Sequence, residues 1–275
     1  MAVNLAQKYS DKLDQAFSHG SYTDDFVNKD YSFDGVKTIN VYTATTVPLK
    51  DYDRTATGDR YGGNNELQDV VTPYTLTKDR TFKLTIDDGN AKQQVMAKRA
   101  GVIMKAQLQE QVAPEIDKNR IAVAVNGANA VNQKITATAG KAYLDTLKMG
   151  EFLDEAQAPV SGRVLYVTPK FYTMIKENIV TTTNGSEYAS KLIGRGFVGE
   201  LDGIPVVKVP TSYMPTKTYA VMWHKDAVLG AKQIVKTRII TDSELVDGTV
   251  LTGRFIYDTF VLNGKKNAVA SVVYA

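Results

Sequence analysis

The sequence predicts a mixed fold of the α+β class, and three observations predict it. A β-branched strand pattern at residues 35–43 opens into a polar, turn-rich excursion over 44–73, which returns as an alternating segment at 74–87. A long amphipathic helix pattern follows directly at 88–127, broken once at Pro114. After residue 140, helix and strand patterns alternate along the chain.

Composition narrows the function classes. The chain has 275 residues, enough for one large or two modest domains, and its hydrophobic fraction of 43% is enough for a substantial core. Its 33 basic and 30 acidic residues leave a formal charge of +3, far from the excess of a dedicated nucleic-acid binder. A surface that merely faces nucleic acid is compatible with that balance. With no cysteine, disulfides and thiolate metal sites are excluded, and two histidines make an imidazole-rich metal site a poor expectation. The first fifteen residues lack the apolar run of a signal peptide, and no apolar run reaches the ~20 residues that span a bilayer. The expectation is a protein of the cytosol where it is made, with no membrane partner.

Each element has its own signature. Leu5, Tyr9, Leu13, Ala16 and Phe17 recur at helical spacing in residues 2–18, followed by Gly20 and a polar linker to Phe33. In the alternating segment Tyr74, Leu76, Phe82, Leu84 and Ile86 share one face, and Thr75 to Asp87 at odd positions share the other. Paired with 35–43, it predicts a long hairpin whose limbs reach roughly 40–50 Å at ~3.3 Å per residue. Asp87 and Asp88 suit the positive end of the next helix. Its apolar stripe runs through Met96, Ala100, Ile103, Met104, Leu108 and Val112. Pro114 fits the first turn of a second segment that ends at Asn126-Gly127, giving a rod roughly 50 Å long at ~1.5 Å per residue. Residues 128–140 read as a loop. Helices are expected at 141–157 and 169–179, and strands at 163–168, 203–210, 218–223, 231–242, 253–262 and 267–274.

Candidate chemistry is thin. Residues Gly194 to Gly199 match GxGxxG, but a dinucleotide site needs a strand before the motif and a helix after it. The flanking pattern is reversed here, so a connector is the better reading. His224 has no serine and carboxylate placed to converge on it, and His19 lies in a predicted arm. The adjacent carboxylates Asp24-Asp25, Asp87-Asp88 and Asp154-Glu155 diverge on any strand or helix, whereas glycosidase chemistry needs two facing each other across ~5–9 Å. Capping explains Asp87-Asp88, and solvation the others. Asn184-Gly185-Ser186 reads as a surface loop. No catalytic, cofactor or metal residue is assigned.

The excursion carries the functional expectation. A compact enzyme rarely holds so long a loop between paired strands, and such a loop usually has its partner on another molecule. The charges Asp51, Asp53, Arg54, Asp59, Arg60, Asp79 and Arg80 recur along it and its flank. Read as solvated loop charges they contribute ~0–1 kcal/mol per pair. Read as subunit-interface residues they set register and partner choice. The length of the loop favours the second reading.

Several stretches together resemble the major capsid proteins of tailed bacteriophages, in a branch found in phages of Gram-positive bacteria. They are Gly35 to Ile39, Asp51-Tyr52-Asp53-Arg54, Leu76 to Arg80, Val112 to Asp117 with Arg120, and Gly253 to Leu262. Each is short; their order, hairpin before rod, carries the resemblance over most of the chain. It implies an N-terminal arm at 1–33, an extended β-hairpin loop at 34–87, a peripheral domain with a spine helix at 88–139 and 229–275, and an axial domain at 140–228. It implies a structural shell subunit and no enzyme, assembled in the host bacterial cytoplasm into pentamers and hexamers of an icosahedral virion enclosing double-stranded DNA. Its implied partners are copies of itself, a separate scaffolding protein (or assembly without one), a portal, and packaged DNA touched non-specifically on the inner face. It implies no cofactor. Pro114 is the expected bend of the spine helix. Rival readings are an encapsulin-like compartment shell, a cytosolic nucleotide-binding enzyme using the glycine loop, and a phage tail or adhesin component.

Overall fold

The computed structural model describes residues 20–33, 36–44, 46–63, 66, 69–87, 100–138, 140–178, 197–241 and 247–274. The predicted helix over 2–18, His19, Asp88 to Met96 and the loop Thr181–Gly185 lie outside them.

The alternating segment does not form one limb of a hairpin; it divides at Leu76-Thr77. Strand β1 (Thr38–Ala44) pairs antiparallel with β2 (Asp69–Thr75), from Thr38 opposite Thr75 to Ala44 opposite Asp69. The backbone N–H of Leu76 donates to the Lys37 carbonyl at 3.0 Å and closes that ribbon. The next strand, β3 (Lys78–Asp87), belongs to another sheet. At the junction the backbone N–H and the hydroxyl of Thr77 donate to the Asp258 carboxylate at 2.9 and 2.6 Å. The alternation itself holds: Tyr74 and Leu76 are buried, Phe82, Leu84 and Ile86 half-buried, and the odd positions from Thr75 to Thr85 exposed.

The rod runs on through Pro114. Helix α1 (Ala100–Gln107) passes into a π turn at Leu108–Val112 and on into α2 (Ala113–Ala130). Proline has no N–H and its ring crowds the carbonyl four residues back. The wider turn relieves that crowding, with the Ala113 N–H reaching the Leu108 carbonyl. The rod also continues past Asn126-Gly127. Gly127 is a packing glycine: a Cβ there would sit 2.8 Å from a Val261 methyl. The helix ends at Ala130, and just past it Asn132 takes the left-handed conformation with φ 59° while the Gln133 N–H returns to the Ala128 carbonyl at 2.9 Å.

Two sheets flank the rod. After β4 (Lys134–Thr136), in a stretch read as loop, come α3 (Ala142–Glu155), β5 (Arg163–Val167), α4 (Pro169–Asn178), β6 (Phe197–Leu201), β7 (Ile204–Lys208), β8 (Thr218–His224), β9 (Val228–Ile240), β10 (Gly248–Val261) and β11 (Val269–Val273). The order β4-β11-β8-β5-β7-β6 makes a six-stranded mixed sheet, and β3-β10-β9 an antiparallel three-stranded one. Every residue of β5 is buried, the mark of a central strand covered on both faces. One face of the larger sheet takes Met149, Leu153, Phe171 and Ile175 from α3 and α4. The other takes Ile121, Ala124, Val125 and Ala128 from α2, with Tyr22 and Val27 from the N-terminal segment. Leu251, Phe255 and Tyr257 form the buried face of β10, with Gly253 between them. A third core cluster at the base of the hairpin joins Phe33, Tyr74, Leu76, Leu229 and Leu262.

Candidate subunit-contact surface

The β1–β2 hairpin leaves the edge of the small sheet and ends in a self-organised tip. Lys50 Nζ donates to the Gly62 carbonyl at 2.8 Å, the Asp53 N–H to the Arg60 carbonyl at 3.2 Å, and the Tyr52 and Tyr61 rings meet edge to face at 5.1 Å. Asp53 accepts from the Thr55 N–H and hydroxyl, and the hydroxyl bond, the larger effect, holds its carboxyl below the usual range. Asp59 accepts from the Tyr61 and Gly63 N–H groups at 2.9 and 2.7 Å, and Gly62 and Gly63 supply positive φ for the turn.

That order is not produced by burial. Leu49 is fully exposed, at 102% of its reference area, Tyr61 at 77% and Tyr42 at 68%. Val47, Tyr52, Val70 and Val71 are exposed too. Apolar side chains this exposed on a ribbon that has defined structure make it the candidate contact surface.

The structure separates the seven charged candidates. Asp51, Asp53, Arg54, Asp59 and Arg60 cluster, exposed, at the tip. Arg60 Nε donates to the Ala56 carbonyl at 3.2 Å. Asp79 and Arg80 have partners within the chain. Asp79 makes a two-pronged pair with Arg254 at 3.0 and 2.6 Å, whose hydrogen bonds hold its carboxyl low. Arg80 Nε meets Glu115 of α2 at 2.7 Å, and the Tyr257 hydroxyl donates to the same oxygen at 2.9 Å. Burial works against ionisation of Glu115, but the bonds from Arg80 and Tyr257 outweigh it and lower its pKa. Tyr257, buried first and then hydrogen-bonded to that carboxylate, is pushed well up. Pro114 lies in the first turn of α2, next to the π turn. Gln107, Gln111 and Val112 line a groove of about 350 Å³ against Phe82 and Phe255.

A second surface carries cations. On the solvent face of the small sheet, Arg254 stands opposite Lys236, and Thr252 stands between Lys83 and Arg238. All four cations are exposed and line one shallow depression. Like charges opposite one another weaken a sheet. Among the described residues Asp79 is the one carboxylate paired with any of the four.

The other motifs resolve structurally. Strand β6 begins at Phe197, inside the GxGxxG match, and pairs with β7, so a strand stands where the fingerprint needs a helix. Gly194 to Gly196 lie outside the described residues. His224 is buried, with Nε2 3.0 Å from the Ser161 carbonyl and Nδ1 accepting from the Asp226 N–H, a structural role. Asp154 is not simply solvated: it meets buried Arg163 at 2.7 Å. Among the described residues no group of His, Asp or Glu is arranged to hold a metal ion, and no helix is long and apolar enough to cross a membrane.

Sequence reasoning missed one polar centre, because it read residues 21–32 as linker. Asp117 and Arg120, three apart on α2, are each 1% exposed. Asp117 accepts from the Ser21 hydroxyl (2.6 Å), the Tyr22 N–H (2.8 Å) and the Thr23 hydroxyl (2.5 Å). Arg120 donates to Thr23 Oγ1 (2.9 Å) and Asp24 (3.1 Å). Burial opposes ionisation of Asp24, but Lys232, Lys29 and Arg120 together hold its carboxyl far below the usual range. Burial, then Tyr213 and Asp117, raise the Tyr22 phenol to about 12. The available signal was a charged pair on the helix face that also carries Ile121 and Ala124.

Comparison with known proteins follows the fold. No protein-family model matches the chain, and no curated protein matches it. Solved structures do. A chain from Mycobacterium phage Che8 is 16% identical, with a TM-score of 0.69 over 99% of this chain and 98% of that one. The capsid structure of the cyanophage P-SCSP1u is 14% identical, with a TM-score of 0.74 over 98% and 93%. The asymmetric unit of the bacteriophage PhiM1 mature capsid is 11% identical, with a TM-score of 0.72 over 99% and 92%. The chain has the phage-capsid fold over nearly its whole length. A cyanophage and a mycobacterial phage match about equally well, so the fold assigns no branch among phages.

Proposed function

We propose that this chain is the major capsid protein of a tailed phage, a shell subunit without catalytic turnover. One observation carries the reading: the likeness to phage-capsid structures covers both chains almost end to end. Copies of the chain close into pentamers and hexamers of an icosahedral head around double-stranded DNA. Residues 1–33 serve as the arm, the β1–β2 hairpin as the extended loop, the rod with β3, β9 and β10 as the peripheral domain, and the six-stranded sheet with α3 and α4 as the axial domain. A separate scaffolding protein and a portal complete the head, which is assembled in the host cytoplasm.

The hairpin lies over a neighbouring copy. Its exposed apolar residues and tip charges support this, because they stay uncovered among the described residues. The cationic face around Lys83, Lys236 and Arg238 is the mate for the tip carboxylates. Many modest contacts then add through closure of the ring. Pro114 and the π turn beside it form the flexible point of the spine helix. Asp51→Lys at the tip, or Lys236→Glu on the facing surface, is expected to leave the subunit folded and abolish fast-sedimenting shells. Normal shells from both variants would reject charge pairing at the tip.

A further inference from the structure

The N-terminal segment from Ser21 to Asn28 crosses three structural units and fastens all of them. Asp117 and Arg120 grip it from the spine helix. The six-stranded sheet holds it through Trp223 Nε1, which donates to the Phe26 carbonyl at 2.8 Å, and the Tyr166 hydroxyl, which donates to the Tyr22 carbonyl at 3.1 Å. The small sheet holds it at the start of β9. There the Asn28 N–H donates to the Val228 carbonyl at 2.8 Å, the Gly230 N–H returns to the Asn28 carbonyl at 2.9 Å, and Lys232 reaches Asp24 at 2.9 Å. Gly230 leaves the room: a Cβ there would lie 2.9 Å from a Val27 methyl and 3.3 Å from Arg120 Nη2.

We propose that residues 21–28 are a latch, separately releasable from the rest of the fold, that locks the six-stranded sheet to the small sheet, with Asp117 as its keeper. The segment's grip differs from that of the strands around it. Tyr22 and Val27 are its buried apolar anchors, with Phe26 packed beside them, and the rest of its hold is hydrogen bonds, three of which converge on the Asp117 carboxylate. Bonds to a carboxylate contribute more than neutral ones, but ordering the segment costs conformational entropy at every one of its residues, which offsets much of that gain. A segment held in this way opens below the cost of global unfolding. Asp117 matters most because its removal orphans three donors at once. The loss is not local to the helix, because the same segment carries the hydrogen bonds to β9.

The latch has a use that rests on the shell reading. Identical subunits that fit both pentamers and hexamers must change the relation between their two sheets, and opening the latch frees that relation. The latch itself is independent of that reading and is tested on the unassembled chain.

Hydrogen exchange on the full chain gives the first test. In the wild type, the amides of Tyr22, Asn28 and Gly230 are expected to exchange as one group, at least tenfold faster than those of Val221 and Met222 in β8. Asp117→Asn is expected to accelerate the group a further tenfold or more and leave β8 unchanged. Ser21→Ala with Thr23→Val, which leaves the helix untouched, is expected to do the same and stands in if Asp117→Asn does not fold. Exchange of the three amides at the rate of β8 in the wild type would overturn the latch. The second test measures a spin-label distance between Glu155→Cys and Lys236→Cys, introduced into a chain that has no other cysteine. Release by either set of variants is expected to broaden the distance distribution. An unchanged distribution with the segment released would overturn its role as an interlock. Released segments in a chain that never forms shells would keep the latch and reject the shell reading.

Discussion

Replacing Gly253 with alanine tests the packing of the small sheet against the rod. Gly253 lies in the middle of β10, opposite Phe82 of β3, and its φ is not in the left-handed region. Its backbone therefore accepts alanine, and the question is one of space. A Cβ there would lie 2.3 and 2.7 Å from two atoms of the Phe82 ring and 2.9 Å from the Phe255 ring. Carbon atoms rest at ~3.5–4.0 Å, so the Phe82 ring must retreat by about 1 Å or more. Phe82 stacks on Phe255 at 6.0 Å between centroids, and Phe255 is buried, so the retreat disturbs both. Overpacking of this kind costs ~1–3 kcal/mol. Stiffening the unfolded chain returns ~0.4–1 kcal/mol. The expected net loss is about 1–2 kcal/mol, read as a lower urea midpoint of the unassembled subunit. The same substitution in a Phe82→Ala background is expected to cost less, because the two closest contacts are gone and the one to the Phe255 ring remains. An equal loss in both backgrounds, or a gain with Phe82 present, would refute the steric argument.

Three further outcomes are expected. Leu49→Ser leaves the melting temperature of the free subunit unchanged, because Leu49 is fully exposed, yet it prevents closed shells; normal assembly would remove the hairpin from the contact surface. Glu115→Gln flattens the acid limb of stability. The Glu115 carboxyl is held below its unfolded value, so its contribution is present above about pH 4.3 and is lost as pH falls through the lower folded value. Urea titrations of wild type and variant should thus diverge near neutrality and converge in strong acid, and parallel curves would refute the Arg80–Glu115–Tyr257 link. Trp223→Phe leaves the Phe26 carbonyl without its donor and should lower stability by ~1–3 kcal/mol, measured by denaturant unfolding; a change below ~0.5 kcal/mol would show that water replaces the indole.

Much of the fold was legible because periodicity reports burial. The odd and even faces of 74–87 and the buried run at 163–167 follow from side-chain pattern alone. Partner choice does not. Nothing local reveals that β3 leaves β2 at Thr77 and pairs with β10, because the Asp258 that receives Thr77 is far along the chain. Gly127 looked like a helix stop because the need for a bare backbone beside Val261 is a tertiary fact. Residues 21–28 looked like linker because Ser, Thr and Asp are polar in any setting; the buried carboxylate that receives them lies on a distant helix. The charges at the tip were readable as a group, and Asp79 and Arg80 were readable as charges but not as partners of Arg254 and Glu115.

The central claim is that this chain builds closed shells. Negative-stain electron microscopy of the purified protein, alone and co-expressed with any neighbouring scaffold gene, tests it most directly. The account predicts closed particles of uniform diameter in at least one condition. Small particles in both conditions, from a subunit that is folded and stabilised by nucleotide, would contradict it.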